Sequence, residues 1–212
     1  MSRFRFKEPA AHAHGEGAEA EPGGPEELLS PGLRAALAGP SARPGCRILD
    51  FGPLLPANLT FLSRFASHVG IADLSGEEGG GVGEQGWRSR LAGVEGPFDL
   101  VLAWDFLSHI DRTEARDLVG WLSTVTRPGG ALFLMVPEGP EMPARPGVFE
   151  IRGNDRIARR PTICDTVAAP RIPPAEVARL LAGFRVDASF LLRHGVREYV
   201  ALRDQCDDDH NS

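Results

Sequence analysis

Lysine is almost absent from this chain: Lys7 stands alone among 23 basic residues, so arginine carries nearly all the positive charge. The 29 acidic residues outnumber the basic ones and leave a formal net charge of −6. That balance argues against the phosphate-driven affinity a nucleic-acid partner requires. No apolar run approaches the roughly 20 residues of a membrane span. The opening Met-Ser-Arg-Phe-Arg-Phe-Lys has charge but no apolar segment behind it, so it is not read as a signal peptide. Cysteine is scarce as well. Cys46, Cys164 and Cys206 are odd in number, far apart and without a Cys-x-x-Cys pair, which argues against a disulfide framework and against a zinc site. Reduced thiols and no membrane segment together point to the cytoplasm.

What is present suits one folded domain with ragged ends: 212 residues, of which 42% are hydrophobic. Residues 1–24 hold almost no bulky apolar side chain and are expected to be a disordered tail. His12 and His14 within it are read as solvated side chains. The domain is expected over 25–203, with an acidic tail at 204–212. Pro25 to Gly39 predicts one or two short helices broken near Pro31, with Glu26 and Glu27 at a helix start. Ser75 to Gly86 is too rich in glycine for a regular element and reads as a linker; it lacks the flanking strand and helix start of a phosphate loop.

The chain is organised around Cys46 to Leu74. A short apolar run ends in Asp50 and is followed by Gly52, where backbone can turn tightly or lie close to a ligand. Leu59, Leu62 and Phe65 then recur at helical spacing, and a second apolar run ends in Asp73. This is the pattern of a strand, a helix and a parallel strand, each strand closed by a carboxylate. In open α/β sheets ligands bind at the carboxyl ends of the strands, where both aspartates belong. Further strands are predicted at 98–103 and 131–136, with a helix at 113–125 between them and Arg127-Pro-Gly-Gly130 as the turn ahead of the last. Near-continuous apolarity suits parallel strands buried on both faces. A helix from Pro174 to Leu181 precedes two alternating runs, 184–192 and 197–202, that read as a β-hairpin. Residues 147–172 are read as a possible lid or insertion.

In this order and spacing the chain resembles the class I S-adenosylmethionine-dependent methyltransferases. The matching segments are Ile48-Leu-Asp50-Phe-Gly52, Asp73, Phe98-Asp-Leu-Val-Leu-Ala-Trp104-Asp105-Phe-Leu-Ser-His109-Ile, Arg127-Pro-Gly-Gly130 and the closing hairpin. The resemblance implies a three-layer α/β sandwich around a Rossmann-like, mostly parallel sheet with a C-terminal antiparallel hairpin. It implies S-adenosylmethionine as cofactor, with Asp50, Gly52, Asp73 and Trp104 as cofactor contacts, and a small-molecule methyl acceptor. Two departures stand out. Gly52 is followed by Pro-Leu-Leu-Pro where the family alternates glycines, and no third strand is evident between 75 and 97.

Three further expectations come from the residues themselves. Asp105 and His109, four apart, are candidates for removing a proton from a substrate nucleophile, against a plain solvent-facing helix start. Methyl transfer from a sulfonium needs mainly aligned approach, so positioning alone can suffice. Arg152 and Arg156, clustered with Arg159 and Arg160, are candidate contacts for an anionic substrate group, against local pairing with Glu150 and Asp155. No metal site is expected. Two alternatives to the enzyme remain: a methyltransferase-like scaffold or binding domain without catalysis, favoured by both departures, and, as a minor reading, an NAD-type oxidoreductase, which has only the first glycine of its fingerprint.

Overall fold

The computed structural model describes residues 24–41, 43, 45–74, 86–161 and 165–205. Residues 1–23 of the expected N-terminal tail, the glycine-rich linker apart from Gly86, Cys164, and residues 206–212 of the expected acidic tail lie outside the described residues. The elements in chain order are β1 (Glu26–Leu29), α1 (Pro31–Ser41), β2 (Cys46–Asp50), α2 (Pro56–Leu62), β3 (Ala66–Ile71), α3 (Gly86–Arg90), β4 (Phe98–Trp104), α4 (Arg112–Val125), β5 (Thr126–Pro137), β6 (Glu141–Pro143), β7 (Phe149–Gly153), β8 (Arg156–Arg159), β9 (Thr166–Ala168), α5 (Pro174–Leu180), β10 (Phe184–Leu191) and β11 (Val196–Arg203).

Six strands form the main sheet in the order β10-β11-β5-β4-β2-β3. β3, β2, β4 and β5 run parallel, and β11 and β10 are antiparallel to their neighbours. Alternate residues of each strand feed opposite faces. Leu49, Val101, Leu132 and Ala201 join Trp87 of α3, Leu118 and Leu122 of α4 and Val177 of α5 on one side. Ile48, Leu100, Phe133 and Val200 join Leu33 and Leu37 of α1 and Phe61 and Leu62 of α2 on the other. Helices therefore cover both faces. The expected three-layer, Rossmann-like architecture with its closing antiparallel hairpin is the one observed.

Local chemistry explains the long elements. α4 starts where Asp111 Oδ1 accepts from the backbone N–H groups of Thr113 (2.7 Å) and Glu114 (2.9 Å), an N-cap. β4 is buried along its whole length. Its one carboxylate, Asp99, lies at the amino end and is neutralised by Arg127 at 2.9 Å, while accepting from the Arg47 N–H at 2.9 Å.

The structure departs from the sequence reading in two places and supplies the elements of 147–172. Glu26 and Glu27 do not start a helix; they lie in β1, which pairs antiparallel with β8, and the helix begins only at Pro31. Burial of Leu28 with both glutamates exposed is the half-buried pattern of a strand. Arg127–Gly130 does not precede β5 but forms a bulge inside it, since Phe98 faces Thr126 while Leu100 already faces Ala131. Within 147–172, β7 and β8 form a hairpin that adds β1 as a third strand, and β9 pairs with β6. Leu28, Ile151 and Ile157 bury this small sheet against the α1–α2 side. Among the described residues the main sheet ends at β3.

Candidate functional site

β2 and β3 end side by side, and their carboxyl ends are fastened together. Ala72 N–H donates to the Asp50 carbonyl at 2.8 Å, and Leu74 N–H donates to the Phe51 carbonyl at 2.9 Å. Asp50 and Asp73 are thereby set on one rim of the sheet. The Asp50 side chain is 0% exposed. Its Oδ1 accepts from Gly52 N–H at 2.9 Å and from the Trp104 indole N–H at 2.7 Å. Its Oδ2 is buried and has no hydrogen-bond partner. Burial pushes the carboxyl above its ordinary range; the Trp104 and Gly52 donors and the nearby Asn58 amide oppose that shift, and the charge of Asp73 adds to it. Gly52 is required by close approach: a Cβ there would sit 3.1 Å from Asp50 Oδ1 and 3.3 Å from Trp104 Nε1.

Trp104 ends β4 in an uncommon backbone conformation for a bulky residue, with φ at 49°. Its indole turns back over β2 to reach Asp50. Phe149 of β7 stacks on that indole with centroids 5.2 Å apart and planes 16° apart, and Phe133 packs edge-on from below at 5.7 Å. Asn58 of α2 holds the stacking strand in place: its Nδ2 donates to the Phe149 carbonyl at 3.0 Å and its Oδ1 accepts from Ile151 N–H at 2.7 Å. The strand end beside Asp50 is thus walled by Trp104 and Phe149.

Past Trp104 the chain makes a single tight turn, Phe106–Ser108, that brings Asp105 and His109 together with His109 Nε2 3.6 Å from Asp105 Oδ2. That is the distance of an ion pair, beyond hydrogen-bond range. Both Asp105 oxygens accept from Gly147 N–H at 3.0 Å, which anchors the segment leading into β7. The His109 side chain is 4% exposed, and its Nδ1 is buried without a partner.

A cavity of about 150 Å³ opens beside this pair, over the carboxyl end of β5. Leu28, Met135, Met142, Phe149 and Val196 supply its apolar walls; Glu26, Asp105, His109, Glu141, Arg159 and His194 supply its polar ones. Phe149 belongs to both places: it stacks on Trp104 beside Asp50 and lines the cavity.

The predicted site residues divide accordingly. Asp50, Gly52 and Trp104 meet at hydrogen-bond distance, and Asp73 shares their rim, its carbonyl held by Arg90 at 2.5 Å. Asp105 and His109 meet at the cavity. Arg152 and Arg156 are exposed and line none of the cavity; Arg152 and Arg160 flank Glu150 at 3.2 and 3.3 Å. Arg159 is the member of that cluster that reaches the cavity. Asn58 and Phe149 were not anticipated. A signal for Asn58 exists, since it shares a helix face with Phe61 and Leu62, an amide on an otherwise apolar stripe. Phe149 has none, because nothing local says that β7 crosses above β4. Among the described residues no group of three or more His, Cys, Asp or Glu side chains forms a metal cluster.

No protein-family model matches the chain, and no curated protein matches it. Solved structures are similar to it. The N-methyltransferase NodS from Bradyrhizobium japonicum WM9, in complex with S-adenosyl-L-homocysteine, is 13% identical with a TM-score of 0.49, covering 82% of this chain and 84% of that one. The magnesium protoporphyrin IX methyltransferase ChlM from Synechocystis PCC 6803, with S-adenosylmethionine bound, is 14% identical with a TM-score of 0.48, covering 81% and 76%. The pyocyanin biosynthetic protein PhzM is 16% identical with a TM-score of 0.44, covering 76% of this chain, which spans about half, 51%, of that one. At such identities and scores no ligand or residue role is carried over from them.

Proposed function

We propose that this chain is a class I S-adenosylmethionine-dependent methyltransferase acting on a small-molecule acceptor. The observation that carries the reading is the unpartnered Oδ2 of Asp50. A fully buried carboxylate oxygen with no donor is costly to leave unmade, and this one sits at a strand end where α/β sheets bind ligands. The amino group at the methionine end of the cofactor is a donor of the kind it lacks. Asp50, Gly52 and Trp104 would hold that end, and Asp73 would accept from the ribose hydroxyls, since a carboxylate can take both hydrogens of a vicinal diol. The cofactor supplies an electrophilic methyl group on a sulfonium. The chain's own part is to desolvate and orient the acceptor, with His109 Nδ1 available to accept its proton and Asp105 steadying the imidazole.

One observation favours a second reading. The Trp104–Phe149 stack fills space beside Asp50, and Asn58 and Asp105 tie the strand that carries Phe149. A domain that retained the fold as a binding module without catalysis would have such a closed strand end. The two readings separate in a calorimetric titration with S-adenosylmethionine, S-adenosylhomocysteine and NAD, on the wild type and on Asp73→Ala. Micromolar binding of both adenosyl ligands, weakened about tenfold by the substitution as expected for charge-assisted hydrogen bonds, supports the enzyme. No binding of any of the three at millimolar concentration supports the module, and binding of NAD alone supports an oxidoreductase.

A further inference from the structure

Two of the chain's three methionines, Met135 of β5 and Met142 of β6, line the cavity beside Asp105. Leu28 and Phe149 continue its apolar wall, and all four side chains are buried. Thioether sulfurs make favourable contacts with aromatic rings, and paired rings gain more than their buried area alone provides. Stacking on Trp104 fixes the plane of the Phe149 ring within that wall. The polar lining is of mixed sign. Glu26 and Arg159 are register partners across β1 and β8, which puts them on one face, and both line the cavity. Neither forms a hydrogen bond or ion pair with any described residue. A carboxylate acceptor and a guanidinium donor thus stand together unspent. Asp105, by contrast, already accepts from Gly147 N–H with both oxygens.

We infer that this cavity binds a neutral, single-ring phenol. Its volume is about 150 Å³, and an apolar cavity of that size holds one benzene ring. Met135, Met142, Leu28 and Phe149 would enclose the ring. Its hydroxyl would donate to Glu26 and accept from Arg159, since a phenolic O–H does both. An ion suits the lining less well: an anion would meet the carboxylates of Glu26 and Glu141, and a cation would meet the guanidinium of Arg159. Binding of the phenol needs no cofactor. That the same phenol is the methyl acceptor rests on the reading above.

The test follows the methionine methyl resonances of the full chain, assigned through Met135→Leu and Met142→Leu, with no adenosyl ligand present. Phenol at millimolar concentration is expected to shift both signals saturably through its ring current. Cyclohexanol keeps the hydroxyl without the aromatic face, and toluene keeps the ring without the hydroxyl. Each should bind about fivefold more weakly than phenol, cyclohexanol being measured by competition. Glu26→Ala and Arg159→Ala should each weaken phenol about fivefold and leave toluene unchanged, which also shows the cavity intact in the variants. The inference is overturned by the absence of saturable shifts with phenol or by cyclohexanol or toluene binding as tightly. Equal losses of phenol and toluene in both variants would overturn it too. Phenol binding by a chain that binds no adenosyl ligand would sink the methyltransferase reading and leave this one standing; adenosyl-ligand binding without phenol binding would do the reverse.

Discussion

The indole nitrogen of Trp104 donates to Oδ1 of Asp50 across 2.7 Å, joining the carboxyl ends of β4 and β2 by one buried hydrogen bond. The bond spends one oxygen of the carboxylate and leaves the other without a partner. It also holds the indole flat for Phe149 to stack on. Ligand affinity, the packing of β7 and pH dependence all meet at this pair.

Burial holds the carboxyls of Asp50 and Glu198 above their ordinary range, so across that interval the folded chain keeps protons that the unfolded chain releases. The stability they contribute is complete below the unfolded carboxylate pKa of about 4 and is lost as pH rises through their folded-state values. Each group adds a slope of up to about 1.4 kcal/mol per pH unit within that window. Urea unfolding of the wild type and of Glu198→Gln from acid toward neutral pH should show the wild type losing stability relative to the variant. A difference that is flat, or that grows with pH, would contradict the direction.

Glu198 also anchors α1 to the sheet. Its carboxylate accepts from Ser30 Oγ at 2.5 Å and from Gly32 N–H at 2.7 Å, while Ser30 Oγ accepts from Leu33 N–H at 3.2 Å. Gly32 is needed there, since a Cβ would lie 2.8 Å from the Glu198 side chain. Glu198→Ala would strand these donors at a buried helix start and should cost about 2–4 kcal/mol. Glu198→Gln keeps one acceptor and should cost about half as much, read at the pH where the wild type is most stable.

Asn58 joins α2 to β7 through both ends of its amide. Asn58→Leu preserves volume but leaves the Phe149 carbonyl and Ile151 N–H without that partner. A loss of about 2–4 kcal/mol is expected in chemical unfolding. Hydrogen exchange should quicken at Ile151 and its neighbours in β7 while β4 stays protected. Unchanged exchange in β7 would show that other contacts hold the strand.

Phe149 stacks on Trp104 beside Asp50 and also lines the cavity. If its stacking on Trp104 competes with a ligand beside Asp50, Phe149→Leu should tighten S-adenosylhomocysteine binding. Loss of a stacked aromatic pair worth about 1 kcal/mol corresponds to a factor of about five. Weaker binding in the variant would instead make the ring part of the ligand's own wall.

The parallel core was legible because its signals are local. β2, β4, β5, α4 and the closing hairpin carry apolar runs or helical spacing that only tertiary burial on both faces explains. Asp50 was placed for the same reason, as the carboxylate that ends β2, whereas Asp73 lies two residues beyond the end of β3. The 147–172 region was not: β7, β8 and β1 owe their pairing to partners more than 100 residues apart in the case of Glu26 and Arg159, and to burial against α2. Asp105 and His109 were paired by their spacing, and a single 3₁₀ turn, Phe106–Ser108, brings them together. Within the arginine cluster a short hairpin sends alternate residues to opposite sides: Arg152 and Arg160 flank Glu150, the local pairing weighed as the alternative, and Arg159 lines the cavity.

The indole N–H resonances offer the most direct test of the adenosyl-ligand site, because the chain has three tryptophans and only the Trp104 indole bonds to Asp50. Assigned through Trp104→Phe, its signal should shift progressively as S-adenosylhomocysteine is added, while that of Trp121, on α4 at the opposite face, stays in place. Saturation at micromolar ligand is the predicted result. A Trp104 signal that does not move at millimolar S-adenosylhomocysteine would contradict a cofactor site beside Asp50.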